Sequence, residues 1–171
     1  MAAGSTYTPI ATTTLGSAQA SVDFTSIPAT YTDFVVIFNG QAAGSLNNLE
    51  MQFNGDTGTN YSDTYLSGNG TSASSGRESA TKASILIGNN GNPPASGSSF
   101  DIVIVNIMNY ANTTTYKTAL TRANNAANGV DAIVGLWRAT PAAITSIKIF
   151  IKSGNNLNTG TNATLYGIKA A

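Results

Sequence analysis

Apolar residues in this chain come in short bursts rich in Val, Ile, Phe and Thr, and clusters of Gly, Asn, Ser and Pro separate them. That is the pattern of strands and turns, with no stretch repeating at helical spacing. It predicts strands at Ile10–Leu15, Ser21–Ile27, Asp33–Asn39, Leu46–Phe53, Ser79–Ile87, Phe100–Met108, Tyr116–Arg122, Asp131–Arg138, Ile144–Lys152 and Ala163–Ile168. About ten strands and no helix point to an all-β fold, an antiparallel β-sandwich of jelly-roll type. Residues 10–171 are expected to form this single domain, preceded by a small, uncharged N-terminal arm over residues 1–9.

The strands differ in how they alternate. In ITSIKIFIKSG, Ile147, Ile149 and Ile151 fall on one face and Lys148 and Lys152 on the other, as a sheet with one wet side requires. In FDIVIVNIMNY both faces are apolar: Phe100, Ile102 and Ile104 on one, Val103, Val105 and Ile107 on the other. DFVVIFNG, residues 33 to 40, is similar. A two-sided strand in a sandwich without helices needs a second cover, either a neighbouring subunit meeting Val103, Val105 and Ile107 or a long loop of the same chain.

Composition sharpens this picture. Thr, Ser, Asn and Gly supply 76 of 171 residues, whereas only 9% are charged, against about 25% in an ordinary soluble domain. The 8 basic and 8 acidic residues cancel, so no charge excess steers the chain to nucleic acid or to an anionic membrane surface. Near-zero net charge also protects weakly against self-association, which suits a protein whose working state is an assembly.

Candidate chemistry is sparse. With no Cys and no His, thiolate and imidazole metal ligands, Ser-His-Asp or Cys-His arrangements and disulfides are all excluded. No apolar run approaches the length of a membrane span, and the opening MAAGSTYTPIATTTLG has neither a basic nor an apolar signal region. The densest polar stretch is NGDTGTNYSDTYLSGNGTSASSGR, residues 54–77. Asp56 and Asp63 are its only acids before Glu78, and the spacing is not that of an EF-hand. It reads as a displayed loop made from turn residues, in which Asn54-Gly55 and Asp56 together supply positive φ and Asx hydrogen bonds. GNGTSASSG, residues 68–76, lacks the lysine and following helix of a phosphate loop. The carboxylates show no pairing spacing, and nothing stands ready to activate a hydroxyl. No catalytic residue, metal or cofactor is therefore expected. Tyr61, Tyr65, Tyr110, Tyr116 and Trp137 lie in or near polar segments and are the candidate sugar-stacking rings, with Tyr61, Tyr65 and Trp137 as the proposed glycan contacts; the competing reading has Trp137 and the tyrosines capping the core with their polar tips in water.

TTTLGSAQASVDFTSIPATYTDFVVIF, FNGDTGTNYSDTYLSGNGTSASSGR, NYANTTTYKTALTRANNA, VGLWRATPAAITSIKIFI and ATLYGIKAA together resemble small virion structural proteins of tailed bacteriophages, over almost the whole chain. The resemblance implies a jelly-roll-like sandwich made in the host cytoplasm and exposed on a virus particle. Of the two placements it allows, a capsid decoration or cement protein would act as a homotrimer bound to the major capsid protein on the outside of the head. A tail or head fibre module would instead hold a host glycan. The chain carries no heptad stalk or collagen-like shaft, which favours decoration.

Overall fold

The computed structural model describes residues 6–44, 48–79, 81–89, 100–125 and 127–169. Among these residues twelve strands run in chain order: β1 (Tyr7–Thr14), β2 (Ser21–Phe24), β3 (Asp33–Gly40), β4 (Leu49–Phe53), β5 (Tyr61–Gly68), β6 (Ala73–Gly76), β7 (Ile85–Gly88), β8 (Asp101–Ile107), β9 (Lys117–Asn125), β10 (Gly129–Trp137), β11 (Ile147–Ile151) and β12 (Asn162–Ile168). They form an eight-stranded sheet, ordered β1-β12-β3-β8-β9-β10-β5-β6, facing a four-stranded sheet, β2-β11-β4-β7. Every pairing is antiparallel.

Without β5, β6, β9 and β10, the remaining strands fall into β1-β12-β3-β8 and β2-β11-β4-β7, the two-Greek-key order of a jelly roll. The two extra hairpins both attach beyond β8. One sheet is thereby widened and the other left narrow.

All ten strands expected from the sequence are present, with shifted ends; of the expected segments, residues 46, 47 and 80 lie outside the described residues. The two added strands, β5 and β6, occupy the stretch read as a displayed loop. That reading is corrected: β5 pairs along its whole length with β10, from Tyr61↔Trp137 to Gly68↔Val130. The N-terminal arm is also shortened, because Tyr7, Thr8 and Pro9 are already paired with β12, and residues 1–5 lie outside the described part.

The core lies between the sheets. From the large sheet come Phe34, Val36 and Phe38 of β3, Val103, Val105 and Ile107 of β8, and Leu165 of β12. They meet Val22 and Phe24 of β2, Leu49, Met51 and Phe53 of β4, Ile85 and Ile87 of β7, and Ile147, Ile149 and Ile151 of β11. Each large apolar side chain so removed from water contributes about 1.5–3 kcal/mol. On β9 and β10 the inward residues include Ala119, Ala123 and Gly135, small enough for β7 to settle against them. At Gly135 the approach is so close that a Cβ would lie 2.2 Å from Ile85 Cγ2.

The β4–β5 turn follows its sequence signal. Asn54 and Gly55 have φ of 53° and 67°, and Asp56 N donates to Phe53 O at 2.9 Å. Positive φ at both central residues marks the type I′ turn that Asn-Gly favours.

Candidate functional site

Three places concentrate polar or unusual groups: the end of the core near Trp137, a charged cluster at the edge of the sandwich, and the outer face of the eight-stranded sheet.

At the first, Asp56 Oδ2 accepts hydrogen bonds from Trp137 Nε1 at 2.7 Å and Asn60 Nδ2 at 2.9 Å, and Oδ1 accepts one from Gly58 N at 2.8 Å. Burial raises the Asp56 carboxyl, but these hydrogen bonds outweigh it and hold the group below its ordinary value. Tyr61 Oη accepts from Phe53 N at 3.1 Å and donates toward Asp56 O at 3.1 Å. Burial, the main cause, holds that phenol protonated well above its usual range. Tyr61 is wholly buried and Trp137 is 4% exposed. Both rings therefore belong to the core, packed with Phe53, because their strands turn those positions inward. Of the five candidate stacking rings Tyr110 is also buried, and two reach solvent: Tyr65, half-buried, and Tyr116, 60% exposed. The core-capping reading describes Tyr61 and Trp137 better, except that their polar tips meet protein groups and not water.

The second place joins residues far apart in the chain. Lys82 Nζ lies 2.6 Å from Glu78 Oε2, 2.7 Å from Asp63 Oδ2 and 3.3 Å from Glu50 Oε1. Lys152 Nζ adds contacts of 2.9 Å to Glu78 and 3.5 Å to Glu50. Asp63 comes from the inner face of β5 and Glu50 from β4, so the cluster bridges the two sheets. Burial opposes charge on Lys82, yet its hydrogen bonds to Asp63 and Glu78 and the charges of Glu50 and Asp63 raise its pKa. Burial likewise raises Glu78, but hydrogen bonds from Lys82 and Lys152 and their charges bring it below its ordinary value. Asp56 and Asp63 are thus engaged in different places. Among the described residues no group of three or more His, Cys, Asp or Glu is placed to hold a metal ion.

The third place is the one the sequence pattern anticipated with its faces exchanged. Val103, Val105 and Ile107, expected to meet a neighbouring subunit, are wholly buried inside the sandwich. Partner strands set their side: β8 lies between β3 and β9, and its odd-numbered residues face the small sheet alongside Phe34, Val36 and Phe38 of β3 and Ala119 and Ala123 of β9. The outward face carries Ile102 and Ile104 instead.

Cross-strand register aligns that face into three rungs. One runs Tyr166, Val35, Asn106, Leu120, Val134, Thr64; the next Thr164, Ile37, Ile104, Arg122, Ala132, Leu66; the third Asn162, Asn39, Ile102, Asn124, Val130, Gly68. Ile37, Leu66, Ile102, Leu120, Val130 and Val134 are all exposed, from 38% at Ile37 to 60% at Leu66. Arg122 is the single formal charge in the three rungs. Between β9, β10 and β5 the surface dips into a groove of about 500 Å³ lined by Leu66, Leu120, Val134 and Arg122. From β3 to β5 the patch measures roughly 24 by 20 Å, on the order of 500 Å² in projection.

Fold and surfaces together define a widened jelly-roll sandwich whose broad sheet has an apolar outer face. Compared with family models, curated proteins and solved structures, the chain matches none.

Proposed function

We propose that this protein is a structural component of a tailed-bacteriophage virion, a decoration protein that assembles on the outside of the head and reinforces the shell. The observation that supports it is the outer face of the eight-stranded sheet. A sheet side that works in water alternates into polar residues, and here six large apolar side chains lie exposed in three adjacent rungs beside one charge. A patch near 500 Å² is at the upper end for monomers, and it would supply the dry centre of a standard interface of about 800 Å² per partner. The proposed occupant is a second copy of the chain within a homotrimer, with the major capsid protein beneath it.

Reinforcement follows from linkage. A protein that binds only the assembled shell stabilises it by RT ln(1 + [L]/Kd) per site. Of the rings that the fibre-module reading would stack on a host glycan, Tyr61, Tyr110 and Trp137 are buried, which leaves it Tyr65 and Tyr116. The test is the position and copy number of the chain in purified particles, with the thermal stability of particles stripped of it. Many copies on the head and a lower melting temperature after stripping are expected. Absence from the head, or unchanged stability after stripping, overturns the reading.

A further inference from the structure

The charged cluster at the sandwich edge contains chemistry that sheet docking does not use. The Lys82 amine and the Asp63 carboxyl are 2.7 Å apart, and the two side chains are 7% and 0% exposed. Glu50, 3.3 Å from the same nitrogen, is 3% exposed, and its other oxygen accepts a hydrogen bond from Ser84 Oγ. An amine and a carboxyl held at contact distance out of water, beside a second carboxyl able to carry protons, form an intramolecular reacting pair.

We propose that Lys82 and Asp63 condense into an isopeptide bond, with Glu50 as the proton carrier. The Lys82 ammonium passes one proton through Glu50 to the Asp63 carboxylate. The neutral Nζ attacks Asp63 Cγ, forming the C–N bond. Glu50 then takes a second proton from the nitrogen and delivers it to the departing oxygen, which leaves as water. Glu50 ends as it began, and one hydrogen stays on the amide nitrogen. Ammonium plus carboxylate becomes amide plus water, with no change of oxidation state.

The surroundings fit the product better than the ion pair. Asp63 Oδ1 and Glu50 Oε1 are buried and accept no hydrogen bond from the described residues, Glu50 Oε1 meeting the Lys82 and Lys152 nitrogens at 3.3 and 3.5 Å as ion pairs alone. Condensation removes one Asp63 oxygen and leaves an amide N–H beside Glu50 Oε1 as donor. It also replaces two buried charges, which are expensive to desolvate, by a neutral group. Glu78 keeps Lys152 as its partner at 2.9 Å, and Asp63 retains an oxygen for Leu86 N, now 3.1 Å from Oδ2. The carboxylates around Lys82 keep its reactive neutral form scarce, so the step is slow and follows folding. The bond would tie β5 of the large sheet to the segment entering β7 of the small one. In a chain without cysteine, this is a covalent staple that a reducing compartment cannot open.

Intact-mass measurement of the folded protein, followed over prolonged incubation at neutral pH, tests the proposal. A mass lower than the sequence requires by one water is expected, with a branched peptide joining the segments around Asp63 and Lys82 after proteolysis. Lys82→Arg keeps the cation, and it should show its full sequence mass. Glu50→Gln should slow the loss of water at least tenfold. An unchanged mass in the wild-type protein, or the same loss in Lys82→Arg, overturns the bond; an unchanged rate in Glu50→Gln overturns the role of Glu50.

Discussion

Trp137 Nε1 donates to Asp56 Oδ2 at 2.7 Å, across 81 positions of sequence. A turn residue thus fixes the orientation of the chain's single tryptophan, which packs on Phe53 and Tyr61. A hydrogen bond to a charged acceptor contributes about 1.5–3 kcal/mol. Asp56→Ala is therefore expected to lower unfolding stability by roughly that amount, read from urea denaturation followed by tryptophan fluorescence.

Two pH windows follow from the shifted groups. Asp56 and Glu78 are held below their ordinary values of 3.8 and 4.5, so their contribution is complete above those values and is lost as pH falls through the lower folded ones. Lys82, as long as it is a free amine, and Lys152 are held above their ordinary 10.5, so their contribution is complete below it and is lost as pH rises through the folded values. Thermal denaturation across pH should show a plateau near neutrality with losses at both extremes. Glu78→Gln should flatten the acid limb.

Removing one cation of the cluster should differ sharply from removing the other. Lys82→Met leaves Asp63 and Glu50 as buried carboxylates without their central partner, an expected loss of about 3–5 kcal/mol. The Lys152 side chain is 47% exposed, and exposed pairs contribute at most about 1 kcal/mol. Chemical denaturation of Lys82→Met and Lys152→Met compares the two directly.

Gly135→Ala would place a methyl 2.2 Å from Ile85 Cγ2, an overpacking expected to cost about 1–3 kcal/mol. In Ile85→Ala the obstructing atom is gone. The double variant should therefore be more stable than the sum of the single effects implies, a non-additivity that a double-mutant cycle measures.

Leu66→Lys and Val130→Lys alter side chains that are 60% and 57% exposed. Unfolding stability of the dissociated chain should change by less than about 0.5 kcal/mol, while self-association in light scattering is lost. A chain that stays monomeric before substitution would remove the basis for the docking face.

Much of this architecture is legible in the residue pattern, but its partners are not. Alternation in IKIFI places Ile147, Ile149 and Ile151 inward as expected, and Asn54-Gly55 marks its own turn. β5 escapes notice because YSDTYLSG puts Asp63 where a strand normally carries an apolar core residue. What makes that position tolerable is Lys82, 19 residues later, a pairing that local propensity cannot express. The alternation of Tyr61, Asp63 and Tyr65 against Ser62, Thr64 and Leu66, just after an Asn-Gly turn, was the available signal. β8 shows the complementary limit. Both faces read as apolar, and only its neighbours β3 and β9 decide that Val103, Val105 and Ile107 turn inward.

The first strand of the large sheet closes against the last, with Tyr7 opposite Ile168. Among the described residues, β12 is also the strand through which β1 joins the rest of that sheet. During synthesis β1 therefore leaves the ribosome long before the strand it needs, and it waits unpaired until residue 168 follows. Folding of the large sheet should complete only once β12 has emerged, on the slow time scale of ms to s typical of non-local β pairings. Until then β1 and β3 present open edges to any neighbouring nascent chain.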